Sequence, residues 1–415
     1  MMPTPLERRQ LTLGMLPLAD AAPLVAALHA GFFAGEGLEV TLSIEPSWAN
    51  IRDRIQLGVL DAAQMLPLMP LAASLGLDGQ LTPMLSALTL NRNGNAVTVS
   101  RPLFAAMQHQ HPGLQPDDPA SAGALAEVIA ERRASGQALL RFATVYPFSS
   151  HRYQLRYWLG SAGIDPDRDL ELRVVPPPQM AAQLEAGWLD GYCVGEPWNA
   201  MARRQHQGEV AISGHRIWEG APEKVLGVTR AWHDAHPGTH QALLRALIRT
   251  GAWLDDDTEH RRQAARWMID GGYLDAAPED VERSLELRDD GIIFSRSVTP
   301  WPWRSQTLWY AAQMARWGHL PESESDAAHL IGAVMQCTRP DLCRQATDAL
   351  GLPMPEGDSK LEGCHEGPWQ LEGRDGGTLE MSADRFIDGA IFDPGRLDEL
   401  LEHYRQLSML NRPAR

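Results

Sequence analysis

Apolar positions near the N-terminus change period along the chain, as expected for strands that alternate with helices. Leu11–Leu16 and Leu38–Ile44 are predicted as strands, and an amphipathic helix is predicted between them. Ser47 is expected to begin a second helix, and Asp61–Met65 to form a third short strand. This β-α-β-α-β order predicts a doubly wound α/β lobe with ligand contacts at the carboxyl ends of its strands. Those ends carry Pro17–Asp20, Pro46–Trp48 and Gln64–Pro67.

A strand, a turn and an amphipathic helix are predicted near the middle of the chain. Phe142–Tyr146 is rich in β-prone residues, and Ser149 and Ser150 are good N-cap residues for the helix that His151 begins. The N–H groups at a helix start have no partner within the helix, and the positive end of the helix dipole lies behind them. The pattern therefore predicts a site for a small anion.

A second strand end is predicted to meet this helix start. Asp190–Trp198 is interpreted as a short buried strand that runs into another helix, so that two strand ends face one cleft. We expect residues 1–100 with 228–320 to form lobe I, residues 101–227 to form lobe II, and residues 321–415 to form a helical and loop extension packed on both. Asn91–Asn95 contains an Asn-Gly turn signal, for which a hairpin or crossover loop is about as probable as a ligand role.

Composition and net charge limit the classes of protein to which the chain can belong. The chain has 415 residues, enough for two to three domain-sized units, with hydrophobic and charged contents ordinary for a soluble globular protein. The net charge of −16 argues against broad electrostatic binding of nucleic acid. The net charge does not exclude a site for a small anion, because the electrostatic potential at a site depends mainly on the charges close to it.

The cysteines give little support for a metal. Cys337 and Cys343 could be grouped with Cys364 and His365 as a zinc site, but their spacing does not match the common zinc knuckle. Free thiols in a reducing cytosol are the expected state, Cys193 included.

The first residues predict a cytoplasmic location. Arg8-Arg9 is similar to a twin-arginine signal, but no signal-type hydrophobic stretch separates it from the first strand at Leu11. No run of about 18 apolar residues is present, so no membrane span is expected.

Catalytic motifs are missing, and two cationic candidates stand out instead. The chain has no Gly-x-Ser-x-Gly elbow, P-loop, His-Glu-x-x-His or dinucleotide fingerprint. His151 suits either an anion-binding donor or a surface capping histidine. Lys224 enters an apolar strand and suits either a point charge for an anion or a solvated surface lysine. Trp48 and Trp198 suit a pocket wall or the core, and Glu196 is expected to orient a neighbouring donor.

Several segments, taken in order, resemble the nitrate and bicarbonate receptor family of ABC transporters, and match its cytosolic nitrate-sensor branch, the NasS type, more closely. The segments are EPSWANIRDRIQLGVLDAAQMLPLMPLA, LNRNGNAVTVS, HRYQLRYWLGSAGIDPDRDLELRVVPPPQM, LDGYCVGEPWNA and APEKVLGVTRAW. The similarity extends from about Leu11 to RFIDGAIFDP.

The resemblance implies a two-lobed α/β fold of the type II periplasmic-binding-protein kind, each lobe a doubly wound sheet flanked by helices. It implies a cytoplasmic protein that binds nitrate or nitrite and holds an RNA-binding antiterminator of the ANTAR type inactive until the ligand releases it. His151 and Lys224 match the oxyanion ligands of the family's nitrate receptors. The weaker matches are Trp48, Asn95, Ser149, Ser150, Tyr192 and Glu196.

The resemblance also sets the expected cofactors and the alternative functions. The bicarbonate branch uses a calcium ion with its ligand, and Lys224 should disfavour a cation there, so no metal and no other cofactor are expected. The alternative function is a substrate-binding receptor that delivers nitrate or a related small anion to an ABC permease. An enzyme on the same fold ranks third, because only the isolated Cys193 lies near the expected cleft.

Overall fold

The computed structural model describes residues 5–79, 82–321 and 325–410. The predicted segments 1–100 and 321–415 extend beyond these ranges, and those outer residues lie outside the described chain. No helix in the described ranges combines the length and the apolar composition that crossing a bilayer requires.

The strands of the described ranges form two five-stranded sheets and one hairpin. They are β1 (Gln10–Met15), β2 (Glu39–Ile44), β3 (Ala62–Met65), β4 (Met84–Thr89), β5 (Asn95–Ser100), β6 (Leu140–Thr144), β7 (Leu170–Val174), β8 (Gly191–Gly195), β9 (Gly208–Ser213), β10 (Val225–Thr229), β11 (Trp369–Glu372) and β12 (Thr378–Met381).

The helices cover both faces of the two large sheets. They are α1 (Ala22–His29), α2 (Phe32–Gly35), α3 (Trp48–Gln56), α4 (Met69–Ser74), α5 (Arg101–Gln110), α6 (Ser121–Ala134), α7 (Ser150–Ser161), α8 (Met180–Glu185), α9 (Trp198–Arg204), α10 (Gly214–Ile217), α11 (Arg230–Ala235), α12 (Pro237–Asp256), α13 (Thr258–Asp270), α14 (Pro278–Ser284), α15 (Arg304–Arg316), α16 (Ala327–Cys337), α17 (Pro340–Leu350) and α18 (Leu397–Leu410).

The two large sheets have the same topology. The sheet of lobe I has the order β2-β1-β3-β10-β4, and the sheet of lobe II has the order β7-β6-β8-β5-β9. In each sheet the first three strands are parallel, and the fourth is antiparallel to both of its neighbours. The predicted two-lobed α/β fold of the periplasmic-binding-protein type is confirmed.

The lobe boundaries differ from the predicted ones by one strand at each crossing. Strand β5 was expected in lobe I but pairs with β8 and β9 of lobe II. Strand β10 pairs with β3 and β4 of lobe I, although its first residues, Val225 to Gly227, were expected in lobe II. The reason is that each lobe lends one antiparallel strand to complete the other sheet, which a pattern of local periodicity does not reveal.

The two segments that cross between the lobes pair with each other. Leu90 N–H donates to the Lys224 carbonyl at 2.7 Å, and Glu223 N–H donates to the Asn91 carbonyl at 3.0 Å. Gly94 has a φ of +96°, and a Cβ at this position would lie 2.7 Å from the Ile292 side chain. Asn91–Asn95 therefore forms the predicted crossover loop and, paired with Glu223 and Lys224, the hinge between the lobes. Its ligand role stays a prediction.

The C-terminal extension packs on both lobes. Helices α16 and α17 of the extension contact α4, β4 and α12 of lobe I. Helix α18 packs on α15, which precedes the extension and contacts α7 of lobe II. Phe386 stacks on Trp309 with ring centroids 5.2 Å apart and also lies 4.8 Å from Trp218. The β11–β12 hairpin was not predicted, although Trp369–Glu372 and Thr378–Met381 alternate in burial around a glycine-containing turn.

Replacement of Phe386 tests whether the extension is part of the folded core. Phe386→Ala removes a ring that is 2% exposed and that contacts Trp218 and Trp309, so it should cost about 3–5 kcal/mol in the free energy of unfolding. Ile391→Ala, at a side chain that is 60% exposed, is the control and should change it by less than about 0.5 kcal/mol. Urea unfolding measures both, and equal effects would contradict the packing described.

Candidate functional site

A buried lysine lies at the centre of the cleft. Lys224 is fully buried, and its Nζ lies 2.8 Å from Asp20 Oδ2 and 2.8 Å from Glu223 Oε2. The ammonium also lies 5.8 Å from the ring centroid of Trp48. The surface-lysine alternative is therefore wrong, because Lys224 is enclosed by two carboxylates and an aromatic face.

The lobe I side of the site comes from the ends of its strands, as the strand pattern predicts. Asp20 follows β1, and Trp48 opens α3 behind the N-cap Ser47. Gln64, in β3, donates from Nε2 to Asp20 Oδ1 at 2.6 Å and accepts the Leu16 N–H at 3.1 Å. Gln64 thus fixes the carboxylate that faces the lysine.

The hinge and lobe II supply an amide and carboxylate network. Asn95 Nδ2 donates to Glu223 Oε1 and, at 3.2 Å, to Gln154 Oε1. Gln154 Nε2 lies 3.4 Å from the same Glu223 oxygen. Lys224 N–H donates to Asn91 Oδ1 at 3.1 Å. The charged groups are therefore held by both crossing segments, and a ligand at this place contacts the hinge itself.

The start of α7 forms the lobe II wall. Ser149 is the N-cap and accepts the Arg152 N–H at 3.1 Å, while its own hydroxyl donates to the Tyr146 carbonyl at 2.7 Å. Ser150 and His151 are the first two helical residues, and both are fully buried. Their N–H groups cannot be bonded within the helix. The helix begins one residue earlier than predicted, at Ser150, with Ser149 as its N-cap, and the surface alternative for His151 is wrong.

Buried donors at the cleft lack an acceptor. Within the described chain, Trp48 Nε1 and His151 Nε2 have no hydrogen-bond partner, and neither has Thr144 Oγ1 at the end of β6. His151 Nδ1 lies 3.5 Å from Ser150 Oγ. A buried donor without an acceptor costs about 1–3 kcal/mol, so donors left in this state at a cleft favour binding of an acceptor.

Burial and the lysine decide the protonation states. Burial lowers the pKa of His151 well below its usual value, and the charge of Lys224 lowers it further, so the imidazole is neutral at pH 7. Burial alone would lower the pKa of Lys224, but Asp20 and Glu223 outweigh burial and raise it, so the ammonium stays charged. Burial raises the pKa of Glu223 against the opposing effect of Lys224. The site therefore holds one positive and up to two negative charges.

The lobes touch across the cleft. Ala19 N–H of lobe I donates to the Glu196 carbonyl of lobe II at 2.9 Å. Arg52 Nη1, on α3, lies 3.4 Å from the hydroxyl of Tyr146 in lobe II. With Lys224 fully buried, these contacts describe a closed cleft.

Two of the expected residues, Tyr192 and Glu196, make their side-chain hydrogen bonds inside lobe II rather than with the lysine. Tyr192 donates its hydroxyl to the Trp198 carbonyl at 3.2 Å, inside lobe II. Glu196 accepts the Ala200 N–H at 3.0 Å and so orients the start of α9, and burial raises its pKa to about 7. Glu196 lines a cavity of about 250 Å³ beside Arg203 and Arg288, and Asn95 of the site network lines the same cavity.

Two carboxylates and two amides of the cluster were not among the residues predicted for the site, namely Asp20, Glu223, Gln64 and Gln154. Asp20 and Gln64 entered the sequence analysis only as parts of the strand ends of lobe I. Glu223 entered it only as the neighbour of Lys224 in the segment APEKVLGVTRAW. Gln154 lies four residues after Ser150 in α7, on the same helical face, so the helical period was the one available signal for it.

Comparison with known proteins identifies the family of the chain. The model of the NMT1-like family matches residues 4–269. The chain belongs to the NMT1-like family. The nitrate/nitrite binding protein NrtA of Synechococcus elongatus is 32% identical over 94% of this chain and 84% of its own length. These two matches place the chain among the nitrate and bicarbonate substrate-binding proteins of ABC transporters within the NMT1-like family.

A solved structure agrees with this assignment. The crystal structure of the periplasmic nitrate-binding protein NrtA from Synechocystis superposes with a TM-score of 0.82 at 26% identity, over 96% of this chain and 99% of that one. The named relatives of this NMT1-like chain are substrate-binding and transport proteins rather than enzymes. Cys193 offers no ready nucleophile, since burial raises the pKa of its thiol far above the usual value.

Longer relatives match as well. The nitrate import ATP-binding protein NrtC of Synechocystis is 38% identical over 85% of this chain. The chain spans 52% of that protein, and 46% of the bicarbonate transport ATP-binding protein CmpC of Synechococcus elongatus. The NMT1-like chain thus covers about half the length of these relatives.

Removal of the lysine tests the electrostatic network. Lys224→Gln leaves Asp20 and Glu223 buried together without a cation, which should cost about 3–5 kcal/mol of stability at pH 7. The deficit should shrink as the pH falls, because the carboxyl groups then have a raised pKa in the folded state and become protonated. Urea unfolding as a function of pH measures this effect.

Two further variants serve as controls for this prediction. Adding Glu223→Gln to Lys224→Gln should recover at least half of the lost stability, because it removes one of the two uncompensated charges. Arg203→Gln, at a half-exposed pair with Glu209, should change stability by at most about 1 kcal/mol. A single Lys224→Gln variant as stable as the parent would contradict the network.

Proposed function

We propose that the closed cleft binds nitrate or nitrite and that the chain acts as the substrate-binding receptor of an ABC transporter for these anions. The observation that carries the proposal is the pair of unpartnered buried donors, Trp48 Nε1 and His151 Nε2, beside the ammonium of Lys224. The names of the relatives, which are nitrate/nitrite binding proteins and a nitrate import protein, support the same ligand.

The chemistry of nitrate suits this donor set. Nitrate is a small, planar, monovalent anion that only accepts hydrogen bonds, and it needs donors and one positive charge rather than bulk. Neutral His151 and the indole of Trp48 are donors toward it, and the start of α7 adds two N–H groups. Sulfate brings a second negative charge beside Asp20 and Glu223, which the single ammonium does not offset.

The lysine also argues against a calcium-dependent ligand. Asp20 and Glu223 are the carboxylates that a divalent cation would use, and Lys224 Nζ lies 2.8 Å from both. A cation in this position would have to displace a buried, doubly paired ammonium. Bicarbonate bound together with calcium is therefore disfavoured relative to nitrate.

A second candidate has the same ligand and a different partner. The ordered segments resemble the cytosolic nitrate sensors, in which the ligand-free protein holds an ANTAR-type antiterminator inactive and the ligand releases it. This candidate carries with it a cytoplasmic location. Both candidates require that the ligand favours one arrangement of the lobes, since a ligand acts only through unequal affinity for two states.

Calorimetric titration tests the ligand. Nitrate and nitrite should bind one to one, whereas sulfate should not bind and bicarbonate should not bind even with calcium. His151→Ala and Trp48→Phe each remove one donor and should weaken nitrate binding by roughly 10-fold or more. His206→Ala, at a residue beside Arg101 outside the cleft, is the matched control and should leave nitrate affinity unchanged. Nitrate binding that is insensitive to both cleft variants would overturn the proposed site.

A paired experiment separates the receptor from the sensor. As a receptor, the nitrate-loaded chain should stimulate ATP hydrolysis by a reconstituted nitrate permease of the ABC type, and His151→Ala should not. As a sensor, the ligand-free chain should form a complex with a purified ANTAR antiterminator that nitrate dissociates. Stimulation without such a complex supports the receptor, and the reverse outcome replaces it by the sensor.

A further inference from the structure

A cluster of three metal-ligand side chains lies in the C-terminal extension, away from the cleft. Cys364, His365 and Asp384 each offer one atom such that all three lie within 4.8 Å of one another. Cys364 is the one partly exposed cysteine of the four, and Asp384 is buried. Asp384 lies 19 residues from His365 along the chain, so the fold rather than local spacing assembles the group.

The geometry suits shared binding of an ion better than a proton relay. His365 Nδ1 lies 3.2 Å from Cys364 Sγ and 3.3 Å from both oxygens of Asp384. The other ring nitrogen, Nε2, is farther from the sulfur, at 3.6 Å. A catalytic relay would use opposite nitrogens of the ring for the thiol and the carboxylate. Here the sulfur and the carboxylate both lie beside Nδ1, so the three ligand atoms form one compact group that an ion can share.

The separations match those of a zinc site. Zinc bonds of about 2.0–2.3 Å in tetrahedral geometry place ligand atoms roughly 3.3–3.8 Å apart. The nitrogen–oxygen distance of the cluster, 3.3 Å, lies at the short end of this range, and the sulfur–nitrogen distance, 3.2 Å, lies just below it. A small outward movement of the three side chains therefore accommodates the ion.

Neighbouring groups hold the candidate ligands in place. The ring of His365 stacks on Trp369 with centroids 3.8 Å apart and an interplanar angle of 5°. Trp369 Nε1 donates to the Ser382 carbonyl at 3.0 Å, and His365 N–H donates to Asp384 Oδ1 at 2.9 Å. Such outer contacts fix the orientation of ligands at metal centres.

The charge balance also favours a dication. Lys360 Nζ lies 2.8 Å from Asp384 Oδ2 and 2.5 Å from Glu362 Oε2, so one ammonium faces two carboxylates. Glu362 is further fixed by the hydroxyl of Ser305, at 2.6 Å. Without an ion the group carries one net negative charge. A dication bound with the Cys364 thiolate adds one positive charge and makes the group neutral.

We propose that Cys364, His365 and Asp384 bind a zinc ion, with a water molecule in the fourth position. A thiolate, an imidazole and a carboxylate are a donor set that suits zinc better than calcium or magnesium, which prefer oxygen ligands alone. The half-exposed faces of Cys364 and His365 leave the fourth position open to solvent.

The site has a structural consequence because of its place in the chain. Strand β12 ends at Met381 beside the lobe I segment 296–298, and Phe386 packs on Trp309 and Tyr157 in lobe II. Asp384 lies between these two anchors. The ion links residues 382–385, which join these two anchors, to the loop that carries Cys364. It should therefore make the extension more resistant to unfolding.

Cobalt and zinc titrations of the full, untagged and chelator-treated chain test the proposal. Cobalt should bind one to one and produce the thiolate-to-cobalt absorption of the near-ultraviolet, and zinc should abolish this absorption. Cys364→Ser should remove the absorption and weaken zinc binding by at least roughly 10- to 100-fold, because the loss of a ligand exceeds the loss of an outer contact. Asp384→Asn should weaken zinc binding while the absorption remains at higher cobalt concentration.

Cys337→Ala is the matched control. Cys337 is fully buried beside the Val334 carbonyl, and its replacement keeps the cluster intact, so cobalt absorption and zinc affinity should stay as in the parent chain. Zinc binding of equal strength in Cys364→Ser, or a cobalt complex without thiolate absorption, would overturn the proposal. Nitrate titration of the same Cys364→Ser protein shows that it is folded and separates this site from the cleft.

Discussion

A buried ammonium that cannot be left unpaired is the interaction on which the cleft depends. Lys224 has no exposed surface, and its charge is offset by Asp20 from lobe I and Glu223 from the hinge. A charge removed from water is tolerated only with partners of this kind, and the loss of one partner leaves the other charged group uncompensated. The closed arrangement of the lobes and the position of the hinge are therefore coupled to this one side chain.

The same constraint explains how the site selects its ligand. The ammonium shares its charge with two carboxylates, so that a bound anion adds negative charge to a group that is already balanced or negative. The donors that remain are neutral, namely the Trp48 indole, the His151 imidazole and the first turn of α7. A weakly basic monovalent anion suits such neutral donors.

Local patterns predicted those parts of the molecule that depend on neighbours in sequence. The α7 start, the strand ends of lobe I and the two cationic candidates could be identified because capping and period act over a few residues. The pairing of Asp20 with Lys224 could not be predicted, since it joins residues far apart in the sequence and depends on the order of β1, β3 and β10 in the lobe I sheet. The exchanged strands β5 and β10, and the meeting of Cys364 with Asp384, depend on long-range topology for the same reason.

The uptake of a proton with nitrate is the measurement that tests the account most directly. Calorimetric titration with nitrate in buffers of different ionisation enthalpy gives the number of protons taken up on binding. The account predicts no net proton uptake and the same affinity between pH 7 and 8, since His151, whose pKa is held well below its usual value by burial and by Lys224, serves nitrate as a neutral donor. Uptake of about one proton for each nitrate bound, with an affinity that rises as the pH falls through this range, would contradict the claim that neutral donors beside one buried ammonium bind the ligand.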